Sequence, residues 1–251
     1  MAQNILGIIP ARYASTRFPG KPLALIHGKP MIQHVHVQAL KCSLLRRVII
    51  ATDDQRIYDA VKDFGGEVIL TSKNHQSGTD RCSEVVKVIQ EEYDVVINIQ
   101  GDEPFIKPEQ IDLLCSCFKS DSVQIATLVK RILTEAELSN VNVVKVVMAE
   151  NGRALYFSRS VIPYQRNVSK NLRVFDGKFY KHIGLYGYRK DILQKIAELP
   201  INDLEKAESL EQLRWLANGF QIQTAITEAE TISIDTMEDL STGENFFRRN
   251  N

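Results

Sequence analysis

One stretch, residues 8–23, reads IIPARYASTRFPGKPL and decides how the start of the fold is interpreted. An apolar run over residues 6–9 ends at Pro10, and Gly20 gives the following loop room to turn. That loop carries three cations: Arg12, Arg17 and Lys21. A buried strand that opens into a loop of cations and free amides is typical of a site for a triphosphate.

Other interpretations of this loop are weaker. The Gly-x4-Gly-Lys-Ser/Thr spacing of a Walker loop is absent, which does not favour a kinase or an ATPase. No Gly-x-Gly-x-x-Gly motif opens the first helix, so an oxidoreductase is poorly supported as well. An ordinary surface loop with solvated charges is the remaining alternative. We favour the phosphate site, because the cations follow the end of a strand rather than a helix face.

The composition excludes several classes of protein. The chain has 251 residues with 31 basic and 31 acidic side chains, so no binding of nucleic acid is expected. No apolar run approaches ~20 residues, so no membrane insertion is expected, and the N-terminus lacks the pattern of a signal peptide. The cysteines show neither Cys-x-x-Cys spacing nor a His-rich neighbourhood, which indicates reduced thiols in a cytoplasmic protein rather than a zinc site.

Strands and helices alternate through the first half of the chain. Strands are predicted over residues 6–9, 48–51, 68–70, 95–99 and 125–129. Helices are predicted to begin at Pro30, at Asp53 or Asp54, at Thr79 or Asp80, and at Pro108. This alternation predicts an α/β fold with a mostly parallel, Rossmann-like sheet and helices on both faces.

The second half of the chain reads differently. Strands are predicted over 141–148, 178–188, 222–226 and 232–234, and a single helix over 205–217. On that helix, four polar or aromatic residues would share one face: Glu208, Glu211, Gln212 and Trp215. These elements predict a smaller, mixed α/β lobe beside the nucleotide-binding sheet.

A carboxylate follows the predicted strand 95–99. Gly101 allows a tight exit from the strand, and Asp102 then stands beside Glu103 at the rim. Ligands of open α/β sheets gather beyond the carboxyl ends of the strands, and Mg²⁺ on a nucleotide takes one or two carboxylates. Asp102 is therefore a candidate metal ligand, although an Asp in this position also stabilises turns.

A second carboxylate, Asp235, follows the predicted strand 232–234. It is a second candidate metal ligand. The alternative is that Asp235 caps a helix over residues 236–240. The spacing alone favours neither.

Taken in order, the motifs of this chain resemble those of the 3-deoxy-manno-octulosonate cytidylyltransferase family, which makes CMP-Kdo for bacterial lipopolysaccharide. The match runs along most of the chain. The matching motifs are IPAR at 9–12, STR at 15–17, PGKP at 19–22, KPMIQH at 29–34, ATDD at 51–54, SGTDR at 77–81, NIQGDEP at 98–104, ALYFSRS at 154–160, KHIGLYGY at 181–188 and ESLEQLR at 208–214. Val161 and Gln165 depart from the prolines that the family pattern implies there.

The resemblance implies one nucleotidyltransferase domain over residues 1–251. Residues 1–130 would form the nucleotide-binding lobe, residues 131–220 a sugar-binding and dimerisation lobe, and residues 221–251 would return to the nucleotide lobe. A homodimer is expected from the resemblance.

The resemblance also implies the nucleotide and metal ligands. CTP would lie against Pro10, Ala11, Arg12, Arg17, Lys21, Ser77, Gly78, Arg81 and Gln100. Arg17 and Lys21 would bind its phosphates, and Asp102 and Asp235 would hold Mg²⁺. These four side chains form the implied catalytic set. The polar segment 71–81 independently suits a base edge, although surface loops are often composed this way.

For the sugar, the resemblance implies a second set of ligands between the lobes. They are Gln100, Arg159, Arg166, His182, Tyr186, Glu211 and Gln212. On an extended strand, His182, Tyr186 and Tyr188 share one face, which independently suits a polyhydroxylated acid. Without the resemblance, His182 would be taken as a core or interface histidine and Glu211 as part of a solvated helix face.

The expected reaction is CTP plus Kdo giving CMP-Kdo plus pyrophosphate, through attack of the anomeric hydroxyl on the α-phosphorus. No side chain is assigned as a general base. Two rival functions stay open: a sialic acid cytidylyltransferase, and a CTP-binding regulator without catalysis.

Overall fold

The structure is a computed structural model that describes residues 3–14, 18–167, 174, 179–229, 234 and 236–240. The contacts between Cα atoms divide the chain into two compact units. The first unit is Met1–Cys115 with Glu230–Asn251, and the second unit is Ser116–Ala229.

The part of the first unit that the structure describes contains four parallel strands in the order β6-β1-β4-β5. They are β1 (Ile5–Ala11), β4 (Arg47–Thr52), β5 (Val68–Leu70) and β6 (Val95–Asn98). Leu6, Ile8 and Ile9 of β1 are fully buried, as expected for a central strand covered on both faces. Because all four strands run in one direction, their carboxyl ends meet at the same edge of the sheet.

Four helices connect or follow these strands: α1 (Met31–Leu40), α2 (Gln55–Asp63), α3 (Gly78–Val88) and α4 (Pro108–Cys117). The predicted cap of α2 is confirmed, since the Asp54 side chain accepts the Arg56 N–H. The predicted start of α3 is wrong by one or two residues. Ser77 caps this helix, and Asp80 is the third helical residue, whose carboxylate completes a capping box.

A short hairpin, which the sequence patterns did not predict, follows the phosphate loop. Its strands are β2 (Leu25–Ile26) and β3 (Lys29–Pro30), and a single turn of 3-10 helix, Lys21–Leu23, precedes it. His27 and Gly28 form the turn with φ of 47° and 76°. Positive φ at both central positions is the geometry of a tight hairpin turn.

Within its described residues, the second unit contains five strands: β7 (Ile125–Arg131), β8 (Lys145–Met148), β9 (Ala154–Ser158), β10 (Tyr180–Arg189) and β11 (Ile222–Ile226). β11 pairs with β7 in parallel, whereas the β7–β10, β10–β8 and β8–β9 pairs are antiparallel. Its helices are α5 (Glu135–Ser139), α6 (Lys190–Ala197), α7 (Asp203–Glu208) and α8 (Gln212–Ala217). This mixed arrangement agrees with the predicted α/β class.

The prediction of one helix over residues 205–217 is wrong. The chain forms α7 and α8, and Ser209 between them has the left-handed values φ 52° and ψ 49°. Arg159 explains the break, because its guanidinium donates hydrogen bonds to the backbone carbonyls of Glu208 and Ser209. The predicted helical face of four residues therefore does not exist. The predicted strand 141–148 is also shorter and covers only β8.

The boundaries between the two units fall at different residues from the boundaries of the predicted lobes. The first change falls after Cys115 instead of residue 130, and the second after Ala229 instead of residue 220. The reason is that β7 and β11 pair with each other, and β7 also with β10, so their contacts lie within the second unit. The predicted strand 232–234 falls mostly outside the described residues. Among the helices that the structure describes, none has the length and apolar character needed to cross a membrane.

Candidate active site

A cavity of about 220 Å³ opens at the carboxyl ends of the parallel strands in the first unit. Three of its walls come from segments that follow strands: residues 10–12 at the end of β1, residues 75–78 after β5 and residues 100–102 after β6. Lys21 and Pro22 close it from the 3-10 turn, and Arg81 from α3. The cavity therefore lies where open α/β sheets bind their ligands.

The structure brings most of the predicted nucleotide ligands together in this cavity. Its lining includes eight of the nine: Pro10, Ala11, Arg12, Lys21, Ser77, Gly78, Arg81 and Gln100. The ninth, Arg17, lies outside the described residues. Pro22, His75, Gln76 and Gly101 also line the cavity and were not among the predicted ligands. The polar segment 71–81 pointed to His75 and Gln76, but no pattern separated them from other loop residues.

Lys21 and Asp102 meet at the cavity, although they lie far apart in the sequence. Lys21 Nζ donates a hydrogen bond of 2.7 Å to Asp102 Oδ2. The Lys21 side chain is 13% exposed and the Asp102 side chain 31% exposed, so both remain accessible from the cavity. The pair places a cation suited to phosphate beside a hard oxygen donor suited to a divalent metal.

Two glycines allow the walls to approach each other closely. A Cβ atom on Gly101 would lie 2.8 Å from the backbone oxygen of Pro10. A Cβ atom on Gly78 would lie 3.1 Å from Pro10 Cγ. The exits of β1 and β6 and the start of α3 are thus packed against one another at Pro10, with no room for a side chain.

Arg81 is buried and already has protein partners. Its guanidinium donates 3.0 Å from Nη2 to Asp53 Oδ2 and also bonds the Thr71 hydroxyl. This network ties α3 to the ends of β4 and β5. Arg81 therefore forms a rigid wall of the cavity, in contrast to Arg12, which is exposed at its rim.

Glu103 does not accompany Asp102 in the cavity lining. Its side chain is buried, and burial together with the neighbouring Asp102 charge raises the pKa of Glu103 to about 8. Within the described part of the chain its Oε2 has no hydrogen-bond partner. Asp102 is thus the carboxylate that this strand end presents to a ligand.

Asp235 lies outside the described residues, so the predicted pairing with Asp102 stays a prediction. The residue before it is described: the Ile234 N–H donates 3.0 Å to the backbone oxygen of Asp102. Thr236 and Asp239 form a reciprocal cap, in which Thr236 Oγ1 accepts the Asp239 N–H and Asp239 accepts the Thr236 N–H. The capping function proposed as the alternative for Asp235 is therefore performed by Thr236.

Metal-ligating side chains do not cluster elsewhere in the described ranges. Across those residues, no group of three or more His, Cys, Asp or Glu side chains is arranged to hold a metal ion. Among the described residues that line the cavity, the single carboxylate is that of Asp102.

The second unit contains a cluster of aromatic rings, which we call the aromatic cluster: Phe157, His182, Tyr186, Tyr188 and Trp215. Tyr186 stacks on Tyr188 with ring centroids 6.0 Å apart and meets Trp215 edge-on at 5.1 Å. His182 lies 5.1 Å from Tyr186 and 5.3 Å from Phe157. The predicted common face of His182, Tyr186 and Tyr188 is consistent with these contacts.

Burial shifts the pKa values of two residues in the aromatic cluster, His182 and Tyr186. Burial lowers the pKa of His182 to about 3, so its ring is neutral, and Nε2 lies 3.0 Å from Thr127 Oγ1. Burial, with Tyr188 and Glu211 nearby, raises the pKa of Tyr186 well above its ordinary value. The Tyr186 hydroxyl has no hydrogen-bond partner among the described residues. A buried hydroxyl without a partner is costly and is a natural place for a polar ligand atom.

The remaining predicted sugar ligands have different environments. Glu211 Oε1 accepts a 2.7 Å bond from Arg214, and Gln212 is buried at the start of α8. Arg159 is committed to the backbone, since it bonds the carbonyls of Val141, Glu208 and Ser209. Arg166 is exposed. The structure thus supports a structural function for Arg159 and leaves its predicted contact with the sugar a prediction.

The fold and the cavity define a class: an α/β protein that binds a phosphorylated ligand at the carboxyl edge of a parallel sheet. A family model described as cytidylyltransferase matches residues 6–229. The chain is 54% identical over 249 residues to the 3-deoxy-manno-octulosonate cytidylyltransferase of Phocaeicola vulgatus, covering 98% of each chain. It is 57% identical over 241 residues to that of Parabacteroides distasonis, covering 94% of this chain and 95% of the relative.

A solved structure agrees with these relatives. The structure of CMP:2-keto-3-deoxy-manno-octonic acid synthetase complexed with CTP superposes with a TM-score of 0.91 at 42% identity. The superposition covers 98% of this chain and 99% of that chain. The chain therefore belongs to the 3-deoxy-manno-octulosonate cytidylyltransferase family.

Proposed function

We propose that this protein transfers CMP from CTP to the anomeric hydroxyl of 3-deoxy-D-manno-octulosonate (Kdo), which yields CMP-Kdo and pyrophosphate and activates Kdo for lipopolysaccharide synthesis. One observation carries the proposal: eight of the nine expected nucleotide ligands line a single cavity around the Lys21–Asp102 pair. The chain that forms this cavity matches its family over nearly its full length.

In this proposal the cavity binds CTP with its phosphates toward Lys21. The ammonium group, held at the cavity by Asp102, neutralises charge that gathers on the departing pyrophosphate. Arg12 at the rim and Arg17 would add further positive charge. Ser77, Gly78 and the rigid Arg81 would surround the base, while Gln100 lies beside Asn98 with its Nε2 3.4 Å from Asn98 Oδ1.

The resemblance to the family implies Mg²⁺ at Asp102 and Asp235. Asp102 fits this ion, because its carboxylate is partly exposed in the cavity wall and is a hard oxygen donor. Bound there with the nucleotide phosphates, Mg²⁺ would supply neutralisation of the α-phosphate charge and a lowered pKa of the sugar hydroxyl. Asp235 is proposed as the second ligand.

The reaction itself requires positioning more than acid–base chemistry by side chains. The sugar hydroxyl loses its proton to solvent as its oxygen attacks the α-phosphorus, the bond to the bridging oxygen breaks so that pyrophosphate leaves, and no covalent enzyme intermediate is needed. On the sugar side we propose that His182, Tyr186, Glu211 and Gln212 bind Kdo, with the Tyr186 hydroxyl, which has no partner among the described residues, as the best-supported contact. Arg159 and Arg166 complete the proposed set. A cytoplasmic homodimer is proposed from the resemblance.

One assay tests the proposal. Pyrophosphate release is measured with each of the four nucleoside triphosphates, with and without Kdo and with and without Mg²⁺. Release is expected only with CTP, Kdo and Mg²⁺ together. Faster release with a nine-carbon sialic acid than with Kdo would favour the sialic acid enzyme, and CTP binding without release would favour a regulator.

A further inference from the structure

Residues 71–77 connect β5 to α3, and three of them, His75, Gln76 and Ser77, line the cavity. Two carboxylates of α3 hold this segment. They belong to Asp80 and Glu84, which lie four residues apart and therefore on one side of the helix.

The contacts of Asp80 are explained by the helix start. Its Oδ2 accepts the N–H groups of Gln76 at 3.2 Å and Ser77 at 3.1 Å, and Ser77 Oγ accepts the Asp80 N–H at 3.1 Å. These are the reciprocal bonds of a capping box. Helix formation alone accounts for this residue.

The contacts of Glu84 have no such explanation. Glu84 lies in the second turn of α3, yet its Oε2 accepts the Ser72 N–H at 2.8 Å and contacts His75 Nε2. Burial opposes ionisation, but the bonds from Ser72 and His75 hold the pKa of Glu84 below its ordinary value. An ionised carboxylate only accepts hydrogen bonds, so His75 Nε2 is the donor.

We propose that Glu84 is a positioning residue for the nucleotide: it fixes the ring of His75 in the wall of the cavity and thereby sets the affinity for CTP. The inference rests on the proposed function, since it assigns the cavity to CTP. His75 is the residue that meets the nucleotide, and Glu84 acts through it.

The surroundings of His75 show why it needs a partner. Lys73, Asn74 and Gln76 are exposed, so the segment has little packing of its own. Without the carboxylate, the His75 ring would be free to leave the wall, and CTP binding would have to reverse that disorder. Neither the catalytic pair Lys21–Asp102 nor the sugar ligands are touched by Glu84 in the described contacts.

The test measures CTP dissociation constants by calorimetry and steady-state kcat and KM for four variants: Glu84→Ala, Glu84→Gln, His75→Ala and the double variant Glu84→Ala/His75→Ala. Glu84→Ala should raise the Kd for CTP about fivefold and change kcat by less than about twofold, because the hydrogen bonds to Ser72 and His75 are both lost away from the reacting atoms. Glu84→Gln, which keeps an acceptor, should restore most of the affinity. The double variant should bind CTP no more weakly than His75→Ala.

Glu67→Ala is the matched control. Glu67 also binds a basic side chain, Arg47, but at the amino ends of β4 and β5, away from the cavity. An unchanged Kd in Glu84→Ala, multiplied effects in the double variant, or the same loss in Glu67→Ala would overturn the proposal. If the wild type binds CTP but releases no pyrophosphate, the proposed function fails while the Kd series still decides Glu84. If the wild type does not bind CTP, both fail.

Discussion

The cavity of the first unit and the aromatic cluster of the second unit differ in how they are built. The cavity collects residues from the ends of parallel strands, so the topology by itself brings residues 10–12, 75–78 and 100–102 to one edge. The aromatic cluster draws Tyr186 from β10, which has a register shift between Ile183 and Tyr186, and Trp215 from α8, which follows the break after α7. Sites made from strand ends follow from the order of the strands, whereas sites made from irregular segments follow from side-chain contacts.

If the cavity, rather than the aromatic cluster, is the site of catalysis, Asp102→Asn should reduce activity more than any other variant considered. The variant keeps the shape of the side chain and removes the charge beside Lys21 and the proposed metal ligand. We expect kcat to fall about a thousandfold while the fold is retained. Steady-state pyrophosphate release and far-UV circular dichroism measure the two quantities.

Asp59→Asn is the control for this variant. Asp59 is an exposed carboxylate on α2 that accepts a hydrogen bond from Gln55 and does not line the cavity. It should keep near-normal activity. A near-normal rate in Asp102→Asn would contradict the proposal that Asp102 binds the metal. It would also contradict the proposal that the cavity is the catalytic site.

Lys21→Ala is expected to follow, with a loss of about a hundredfold in kcat/KM. The substitution removes the described cation closest to Asp102 and leaves that carboxylate without its partner at 2.7 Å. Raised KM for CTP and slowed pyrophosphate release should appear together. Lys29→Ala, at an exposed position of β3, is the matched variant that should change neither.

The sequence brought together residues that line one cavity for a physical reason. Apolar runs identify the strands, and the loops that leave their carboxyl ends, which carry Lys21 and Asp102, are expected at the ligand edge. The family resemblance supplied Ser77, Gly78 and Arg81, which the spacing alone did not single out.

The second unit was predicted less well, because its elements depend on tertiary contacts. Residues 205–217 have a helical pattern, but Arg159 binds the backbone at Glu208 and Ser209 and ends the helix there. The pattern of helix formers contains no sign of an arginine 50 positions away in sequence. The buried Tyr186 hydroxyl, which has no hydrogen-bond partner in the described ranges, likewise cannot be identified from the sequence pattern.

Gly101→Ala sharpens the comparison at the level of packing. The added Cβ would lie 2.8 Å from the Pro10 backbone oxygen, so the exits of β1 and β6 would have to separate. We expect a destabilisation of about 1–3 kcal/mol and a weaker affinity for CTP, since the same segments line the cavity. Chemical denaturation and calorimetry measure the two effects.

Gly65→Ala is the control, because Gly65 has a positive φ of 77° but no atom near its Cβ position. It should cost stability without changing CTP affinity, and equal losses of affinity in both variants would contradict the packing argument.

The smallest expected effect concerns pH and the aromatic cluster. The pKa of His182 is about 3 in the folded protein, against about 6.5 when the chain is unfolded. Between these two pKa values, His182 is protonated in the unfolded chain and neutral in the folded protein. The resulting stability is fully present above about pH 6.5 and is lost as the pH falls toward 3. At pH 5 the loss relative to pH 7 is about 1–2 kcal/mol.

His182→Gln isolates that contribution. It replaces the ring with a group that does not titrate and can still bond Thr127 Oγ1. Thermal unfolding at pH 7 and pH 5 should show a smaller drop in Tm for His182→Gln than for the wild type. His27→Gln is the control, because His27 is exposed in the β2–β3 turn, and it should keep the drop of the wild type. If Tm fell equally between pH 7 and pH 5 in the wild type and in His182→Gln, the aromatic cluster would not hold a neutral histidine. The contrast between the polar cavity of the first unit and the apolar aromatic cluster would then fail.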